Sequence, residues 1–396
     1  MSTQPMLATR LRTTLLACSA AMALAGSLSM ASTPASALGA GLAQTESDAE
    51  VRAYWTPERL ATAKPMRQSP AAVRPDGLPA GTVPLQSHLG RQGYSIYSPP
   101  GLPTQPEQTP MQLYAPKASN AALHGQPFSH GTNNYPYTTT RVFPQTSEPP
   151  NYPYRASGHL FFTITKSGGI DKPGNYVCSA SMIAKRILVT AGHCVGSPHV
   201  SGSGGFIFYT KWLFIPADMN GTAPYGSWTW SYVLASGGWA GGDGSVPNAE
   251  DWGFLIINDQ NGTSLGNKVG WLGWETGALS GNNVTVLGYP TNLDGGNYMQ
   301  QNQAQIAASG GNNTYEIGSA MGPGSSGGPW VMSFGDAPTC TGNGCPTGGN
   351  AMGNNTVVAV TSYGPKGTVG YEGASDLNND FANEEGALCA KASGNC

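Results

Sequence analysis

The sequence predicts an all-β protein, and three observations predict it. From Leu160-Phe-Phe-Thr-Ile-Thr165 onward, short runs rich in β-branched and aromatic residues recur at Arg186–Ala191, Gly205–Trp212, Phe254–Ile257, Asn283–Leu287 and Thr356–Ser362. Clusters of Gly, Asn, Ser and Asp, the residues of turns, separate these runs. A helical period is almost absent, and no internal repeat points to a propeller or a solenoid. Many short strands divided by turns imply a sandwich or barrels. The roughly 240 residues from position 156 onward suit two small antiparallel barrels.

Ahead of that region the texture differs. Residues 38–155 hold 18 of the 31 prolines and no cysteine. Pairs such as Pro99-Pro100 and Pro149-Pro150 continue neither a helix nor a central strand. The stretch reads as a pro-segment or linker arm, with local order at apolar patches such as Val51–Trp55. Before it, Arg10 and Arg12 precede an uncharged run, Thr13 to Ala37, that ends in the small-x-small sequence Ala35-Ser36-Ala37. That is the form of a secretory signal cleaved after Ala37. Ser, Thr and Pro interrupt the run too often for a membrane anchor. Leu15-Leu16-Ala17-Cys18 resembles a lipoprotein box, but Arg12 stands too close to Cys18 to leave an apolar signal core. The expected organisation is a signal peptide over 1–37, an arm over 38–155 and a compact domain over 156–396. The protein is expected to be secreted and extracellular, with no membrane association after signal removal.

Charge narrows the partners. Asp, Glu, Lys and Arg make up 10% of the chain, and 19 basic against 22 acidic residues leave a net charge of −3. A protein that binds nucleic acid through its phosphates needs a basic excess, which is missing here. Apolar types at 39% still supply a core, so the chain is not wholly disordered. Removing Cys18 with the signal leaves Cys178, Cys194, Cys340, Cys345, Cys389 and Cys396. An even number in an exported protein implies three disulfides. No C-x-x-C pair offers a zinc site. Asp294, Asp376 and Asp380 read as solvated acids of Gly/Asn-rich loops rather than calcium ligands. Neither metal nor cofactor is expected.

Three short constellations carry chemistry. Leu188-Val-Thr-Ala-Gly-His193-Cys194 brings a histidine from a β-rich run onto a tight turn. Gly322-Pro-Gly-Ser-Ser326-Gly-Gly-Pro329 sets a serine among glycines, where the backbone bends sharply and nothing crowds the hydroxyl. Such a loop can also leave N–H groups free to receive an oxyanion. Glu250-Asp251-Trp-Gly-Phe-Leu-Ile-Ile257 places an acid at the mouth of an apolar strand. Taken singly, each is more often a structural turn. Together they supply the serine, histidine and aspartate of a catalytic triad.

Thr190-Ala-Gly-His193-Cys194 and Gly324-Ser-Ser326-Gly-Gly-Pro329 resemble the histidine and serine motifs of the trypsin/chymotrypsin-like serine peptidases, and His, Asp, Ser is that family's order. Phe214-Ile-Pro216, Pro224-Tyr-Gly-Ser-Trp228, Gly237-Gly-Trp239 and Leu287-Gly-Tyr-Pro290 are similar to segments of its secreted bacterial glutamyl-endopeptidase-like members. The likeness runs from about residue 156 to about 375 and leaves the arm unplaced. It implies two antiparallel six-stranded β-barrels of the chymotrypsin type with the active site between them. Ser326 is then the nucleophile, His193 the general base and later acid, and Asp251 the residue that orients His193. The N–H groups of Gly324 and Ser326 form the oxyanion hole. Ser362-Tyr363-Gly364 pairs with the substrate backbone. Cys178 bridges Cys194, a loop closure worth about 3 kcal/mol in the chain-entropy model. The other four cysteines allow three pairings, of which the local ones, Cys340–Cys345 and Cys389–Cys396, are favoured. The resemblance implies a monomer that acts on protein or peptide substrates.

Two expectations depart from close members of the family. Animal-type enzymes carry an acid just before the nucleophile, which pairs with a newly cut N-terminal amine. Here Ser325 stands there, so no such pair is expected at that position. The residue six places before the nucleophile, at the base of the primary pocket, is Ala320, and the position of the glutamate-binding histidine is Thr361. With Met321 beside Ala320, and Gly364 and Gly370 leaving the walls open, the expected preference is for uncharged, medium to large apolar or aromatic residues. An α/β-hydrolase esterase, whose G-x-S-x-G motif is also matched, needs a histidine after the serine. All six histidines precede Ser326, which excludes it. The remaining alternative is a catalytically inactive secreted binding protein on a peptidase scaffold.

Overall fold

The computed structural model describes residues 39–66, 91, 111–115, 135–142, 151–165, 172–198, 205–335, 353–365 and 370–396. The expected signal peptide, and Cys340 and Cys345 with their expected bond, lie outside the described residues.

Two eight-stranded sheets form the body, each built round six antiparallel strands. In the first, neighbouring strands are Trp230–Ala235, Gly253–Ile257, Ile187–Thr190, Gly174–Met182, Ser157–Ile164 and Thr210–Pro216. A bridge between Phe214 and Trp228 joins the last strand to the segment entering the first, so the sheet curls round on itself. The second sheet runs Thr356–Tyr363, Pro329–Met332, Asn283–Gly288, Gln300–Gly311, Thr314–Gly318 and Tyr371–Asp376. Its last strand pairs back onto its first and closes the barrel. Closure removes the unpaired edges that would otherwise seek another chain.

Alternation along the strands explains the layers. Leu160, Phe162 and Ile164 point into the first barrel with Trp212, Phe214, Leu188, Leu255 and Ile257. Their neighbours Ile187, Val189, Phe254 and Ile256 face outward, yet they are also buried. A second cover makes that possible. The helix Asn379–Lys391 lays Phe381, Ala382 and Leu388 over them, and Trp252 and Trp274 pack edge-on against Phe381. Asn378 caps this helix by accepting from the N–H groups of Asp380 and Phe381, and a disulfide between Cys389 and Cys396 holds its far end.

The proline-rich arm covers the other outward face. Phe161, Val177, Leu213 and Ile215 of the first barrel bury against Val51, Trp55, Leu60 and Tyr114 of the arm. Two helices, Asp48–Tyr54 and Pro57–Thr62, deliver these side chains. Ser47 and Glu50 form a reciprocal capping box at the first, and Thr56 with Pro57 starts the second. Arm strands also join both sheets. Ala40–Ala43 pairs with Trp230–Ala235, and Tyr137–Arg141 pairs with residues 300–304. The change of composition near 156 is therefore crossed by strand pairing. Among the described residues no helix is long and apolar enough to cross a membrane.

Candidate active site

The site is built where the two barrels meet. The strand Ile187–Thr190 ends at Ala191, and the turn Gly192–Cys194 follows at once. A disulfide from Cys194 to Cys178 ties that turn to the adjacent strand Gly174–Met182. His193 and Asp251 are both fully buried. The His193 N–H donates to Asp251 Oδ1 at 2.9 Å, and His193 Nδ1 lies 2.8 Å from Asp251 Oδ2. An ionised carboxylate only accepts, so this contact places the imidazole proton on Nδ1 and leaves Nε2 as a base. Nε2 is buried with no hydrogen-bond partner among the described residues. The second barrel steadies the acid, since Ser362 Oγ donates to Asp251 Oδ2 at 2.6 Å and Asp251 N–H donates to Ser375 Oγ at 3.1 Å. Trp239, edge-on to the imidazole, fills the outer side.

The serine loop is pinned across the same interface. Ser179 N–H donates to the Ser326 carbonyl at 2.8 Å, and Ser179 Oγ donates to the Gly324 carbonyl at 2.9 Å. Gly327 N–H donates to the Thr361 carbonyl, and Thr361 N–H returns a bond to Gly328. Two glycines are required by geometry. Gly324 has φ +103° and Gly327 φ +78°, and a Cβ on Gly327 would sit 2.0 Å from Thr190 Oγ1. The loop thus approaches the first barrel as closely as backbone can. The structure joins His193, Asp251 and Ser362 by hydrogen bonds, and it holds Gly324 and Ser326 against Ser179 of the first barrel, while Ser326 Oγ faces the Met66 carbonyl rather than bonding to His193 Nε2.

A segment that sequence reasoning left unmarked occupies the cleft. Lys64–Pro65 pairs in parallel with Tyr176 and Val177, and Met66 N–H donates to the Val177 carbonyl at 3.0 Å. The Met66 carbonyl then accepts from Gly324 N–H at 3.1 Å, and Ser326 Oγ lies 3.5 Å from it. Met66 is 3% exposed. Its hydrogen bonds are accepted and donated by backbone, which its sequence does not signal, while its side chain packs into the first barrel's apolar cluster.

A cavity opens beside Ser326. Of the residues expected to form the primary pocket, Thr361, Tyr363 and Gly364 line it, together with Met321 and Ser325. Ala320 and Ser362 do not. Ala320 packs into the core of the second barrel, and Ser362 is committed to Asp251. Thr361 Oγ1 accepts from Trp330 Nε1 at 2.9 Å. The wall also contains Glu372, which the sequence reading missed. It sits on a different strand, far in sequence from the serine. Its Oε1 accepts from Ser325 Oγ at 2.5 Å and its Oε2 from Ser319 Oγ at 2.9 Å. Burial pushes its carboxyl up to about 7, against the opposing pull of the two hydroxyls.

The donor sets do not suit a metal. Cys178, His193 and Cys194 lie close together, as do Glu385, Cys389 and Cys396, but the cysteines of each group are bonded to one another. Asp294 is engaged by Arg141 and Gln300, and Asp380 stands in the first turn of a helix. Asp376 is buried at a strand end.

No family model matches the sequence, and no curated protein matches it. Similar solved structures include the protease Anisep from Arthrobacter nicotinovorans, 28% identical, covering 61% of this chain and 99% of its own, with a TM-score of 0.48. A thermostable serine protease, AL20, from an extremophilic microorganism is 21% identical, with 60% and 99% covered and a TM-score of 0.48. A Glu endopeptidase is 17% identical, with 64% and 96% covered and a TM-score of 0.44. Two sheets, each built round six antiparallel strands, that meet at a histidine, an acid and a serine loop give this chain the chymotrypsin-like fold.

Proposed function

We propose that the protein is a secreted serine endopeptidase, made with an arm that fills its own cleft. One observation supports this above others. A peptide carbonyl, that of Met66, is received by Gly324 N–H with Ser326 Oγ beside it, where the carbonyl of a scissile bond would be held. In this reading His193 Nε2 takes the proton of Ser326 Oγ as the new C–O bond forms. The N–H groups of Gly324 and Ser326 receive the oxyanion. Nε2 next protonates the departing amine, the C–N bond breaks, and an acyl-enzyme remains. Water repeats the sequence and frees the acid product. Asp251 fixes the tautomer and stabilises the imidazolium, and Ser362-Tyr363-Gly364 aligns the substrate backbone.

The arm supports the zymogen part of this reading. Protein or peptide substrates would have to displace residues 64–66, so the full chain turns over slowly until the arm is removed or lifted. The protein acts as a monomer without metal, nucleic acid or membrane. A fluorophosphonate probe tests the reading, because only an activated serine reacts. Secreted protein should label at Ser326, and Ser326→Ala should abolish labelling. Absence of labelling in protein freed of its arm would favour an inert binding protein on the same scaffold.

A further inference from the structure

The hydrogen bonds around Glu372 do not balance while its carboxyl is ionised. Its Oε1 then accepts from Ser325 Oγ at 2.5 Å, and the Gly322 carbonyl, a second acceptor 2.8 Å from the same hydroxyl, gets nothing from it. A serine hydroxyl has only one proton to give. Ser319 is already committed, donating to Glu372 Oε2 at 2.9 Å and accepting from Met321 N–H at 3.0 Å. A protonated carboxyl closes the count. Oε1–H donates to Ser325 Oγ, Ser325 Oγ–H donates to the Gly322 carbonyl, and Oε2 still accepts from Ser319. Glu372 is 1% exposed, and burial raises its pKa to about 7. The flanking strands carry Tyr315, Glu316 and Tyr363 as titratable groups, its own strand adds Tyr371 and Asp376, and residues 319–328 have none. None of these is a cation, and Tyr363 bonds to Glu316 at 3.0 Å.

The hydroxyl that Glu372 controls closes a particular turn. Ser325 N–H also donates to the Gly322 carbonyl, at 3.1 Å, and makes Gly322-Pro-Gly-Ser325 a β-turn with Pro323 second and Gly324, at φ +103°, third. The N–H in the middle of that turn is that of Gly324, the one that binds the Met66 carbonyl. We propose, resting on the serine endopeptidase reading, that Glu372 is a positioning residue working as a carboxylic acid, whose proton turns the Ser325 hydroxyl onto Gly322 and clasps the turn that aims the oxyanion N–H. Glu372 touches no reacting atom and acts through Ser325. When its proton passes to solvent, Oε1 becomes an acceptor and draws the Ser325 hydroxyl away. The Gly322 carbonyl keeps only the bond from Ser325 N–H, and the Gly324 N–H is held less firmly. The raised pKa belongs to the folded state, so the clasp is complete at low pH and is lost as pH rises through about 7.

The pH profile of kcat on an uncharged peptide, measured on the secreted protein, tests this. Above the rise that a neutral His193 brings, kcat is expected to fall about tenfold between about pH 7 and 9, with little change in KM. Glu372→Gln has a permanent N–H donor for Ser325 and an acceptor for Ser319, so the fall should vanish while kcat near neutrality changes only a few-fold. Ratios of parent to Glu372→Gln at each pH cancel any change in the fraction of molecules with an open cleft. Ser325→Ala lacks the switched hydroxyl and should run at the parent's high-pH rate throughout, which keeps the test alive if Glu372→Gln does not fold. An infrared difference spectrum, parent minus Glu372→Gln, should show a carboxylic acid C=O band that gives way to carboxylate over the same range. A parent profile without the fall, a fall that persists in either variant, or a carboxylate band already present at about pH 5 overturns the proposal. A serine that no fluorophosphonate labels, beside an acid band that titrates as expected, would instead overturn the endopeptidase reading and leave the protonated carboxyl standing.

Discussion

Among the described residues two histidine–aspartate pairs are buried, and their geometry is nearly the same. Nδ1 of His193 lies 2.8 Å from Asp251, and Nδ1 of His159 lies 2.9 Å from Asp218. Their surroundings differ. Around Asp251 stand backbone and serine donors from both barrels, and Nε2 of His193 has no partner among the described residues. Around Asp218 stand tyrosines and one backbone donor, the Gly221 N–H at 3.0 Å. Tyr114 of the arm donates to Asp218 Oδ2 at 2.7 Å, and the ring of Tyr289 lies 3.8 Å from that of His159. Burial and the Asp218 carboxylate hold the Tyr114 phenol well above its usual range, so it stays a donor. A histidine–aspartate pair is thus not chemistry by itself. What differs is whether the far nitrogen is left without a partner among the described residues or the whole pair is packed in aromatic rings.

The sharpest way to break the comparison is to remove each imidazole in turn. His193→Ala should lower peptide hydrolysis by about four orders of magnitude or more, leaving what binding and the oxyanion hole supply. His159→Ala should change kcat only a few-fold and instead lower the thermal midpoint. Equal kinetic loss in both would erase the distinction. Changing the acids comes next. Asp251→Asn should cost about 10⁴ in kcat with little change in KM, because the wrong tautomer is held. Asp218→Asn should cost about 3 kcal/mol in stability, read by denaturant unfolding, with kcat nearly intact.

A buried carboxyl without any imidazole gives a third contrast. Glu384 accepts from Trp252 Nε1 at 2.9 Å and from Gly237 N–H at 2.8 Å, and burial raises its pKa to about 7. The folded state therefore holds the proton more tightly than the unfolded chain. The resulting stabilisation is complete below about pH 4.5 and is lost as pH rises to about 7. Glu384→Gln should remove that slope, worth about 3 kcal/mol across the window, in unfolding curves taken at several pH values. An unchanged slope would show that Glu384 is ionised in the fold. The smallest effect concerns the arm, which sets Met66 against the serine loop and Tyr114 against Asp218. Val51→Asp places a charge in its buried contact with the first barrel. It should raise hydrolysis by the full chain about tenfold, as the arm lifts. No rise would mean that residues 64–66 do not limit access.

Much of the site was legible because its parts are local. His193, Asp251 and Ser326 each stand at a strand end or a glycine turn whose chemistry is written within a few residues. The alternating strands were legible for the same reason. The helices of the arm were readable as well, through the capping box of Ser47 and Glu50, but prolines elsewhere in the segment masked that signal. The C-terminal helix announces itself poorly because Glu384 and Glu385 are buried on it beside Phe381 and Leu388, which blurs its apolar stripe. Glu372 and Met66 were not legible at all. Each acts by non-local placement, one through strand pairing that carries it to the pocket wall, the other through a carbonyl that any residue possesses. Ala320 shows the converse. Its spacing from the serine is the family's, yet its side chain belongs to the core.

The Met66 carbonyl is on the same chain as the N–H group that receives it. Its competition with substrate is therefore unimolecular, at an effective concentration of about millimolar for a short flexible tether and more when the arm is docked by its helices. Dilution cannot relieve such a block. Cutting the chain after Met66 changes the order of the reaction and turns the Met66 carbonyl into a carboxylate, an acceptor that Gly324 N–H can still receive. The released piece becomes an ordinary ligand, held at high protein concentration and lost at low. In a crowded compartment it would stay seated, and outside, where the protein is dilute, it would leave. One backbone cut would then turn a permanent restraint into a sensor of dilution.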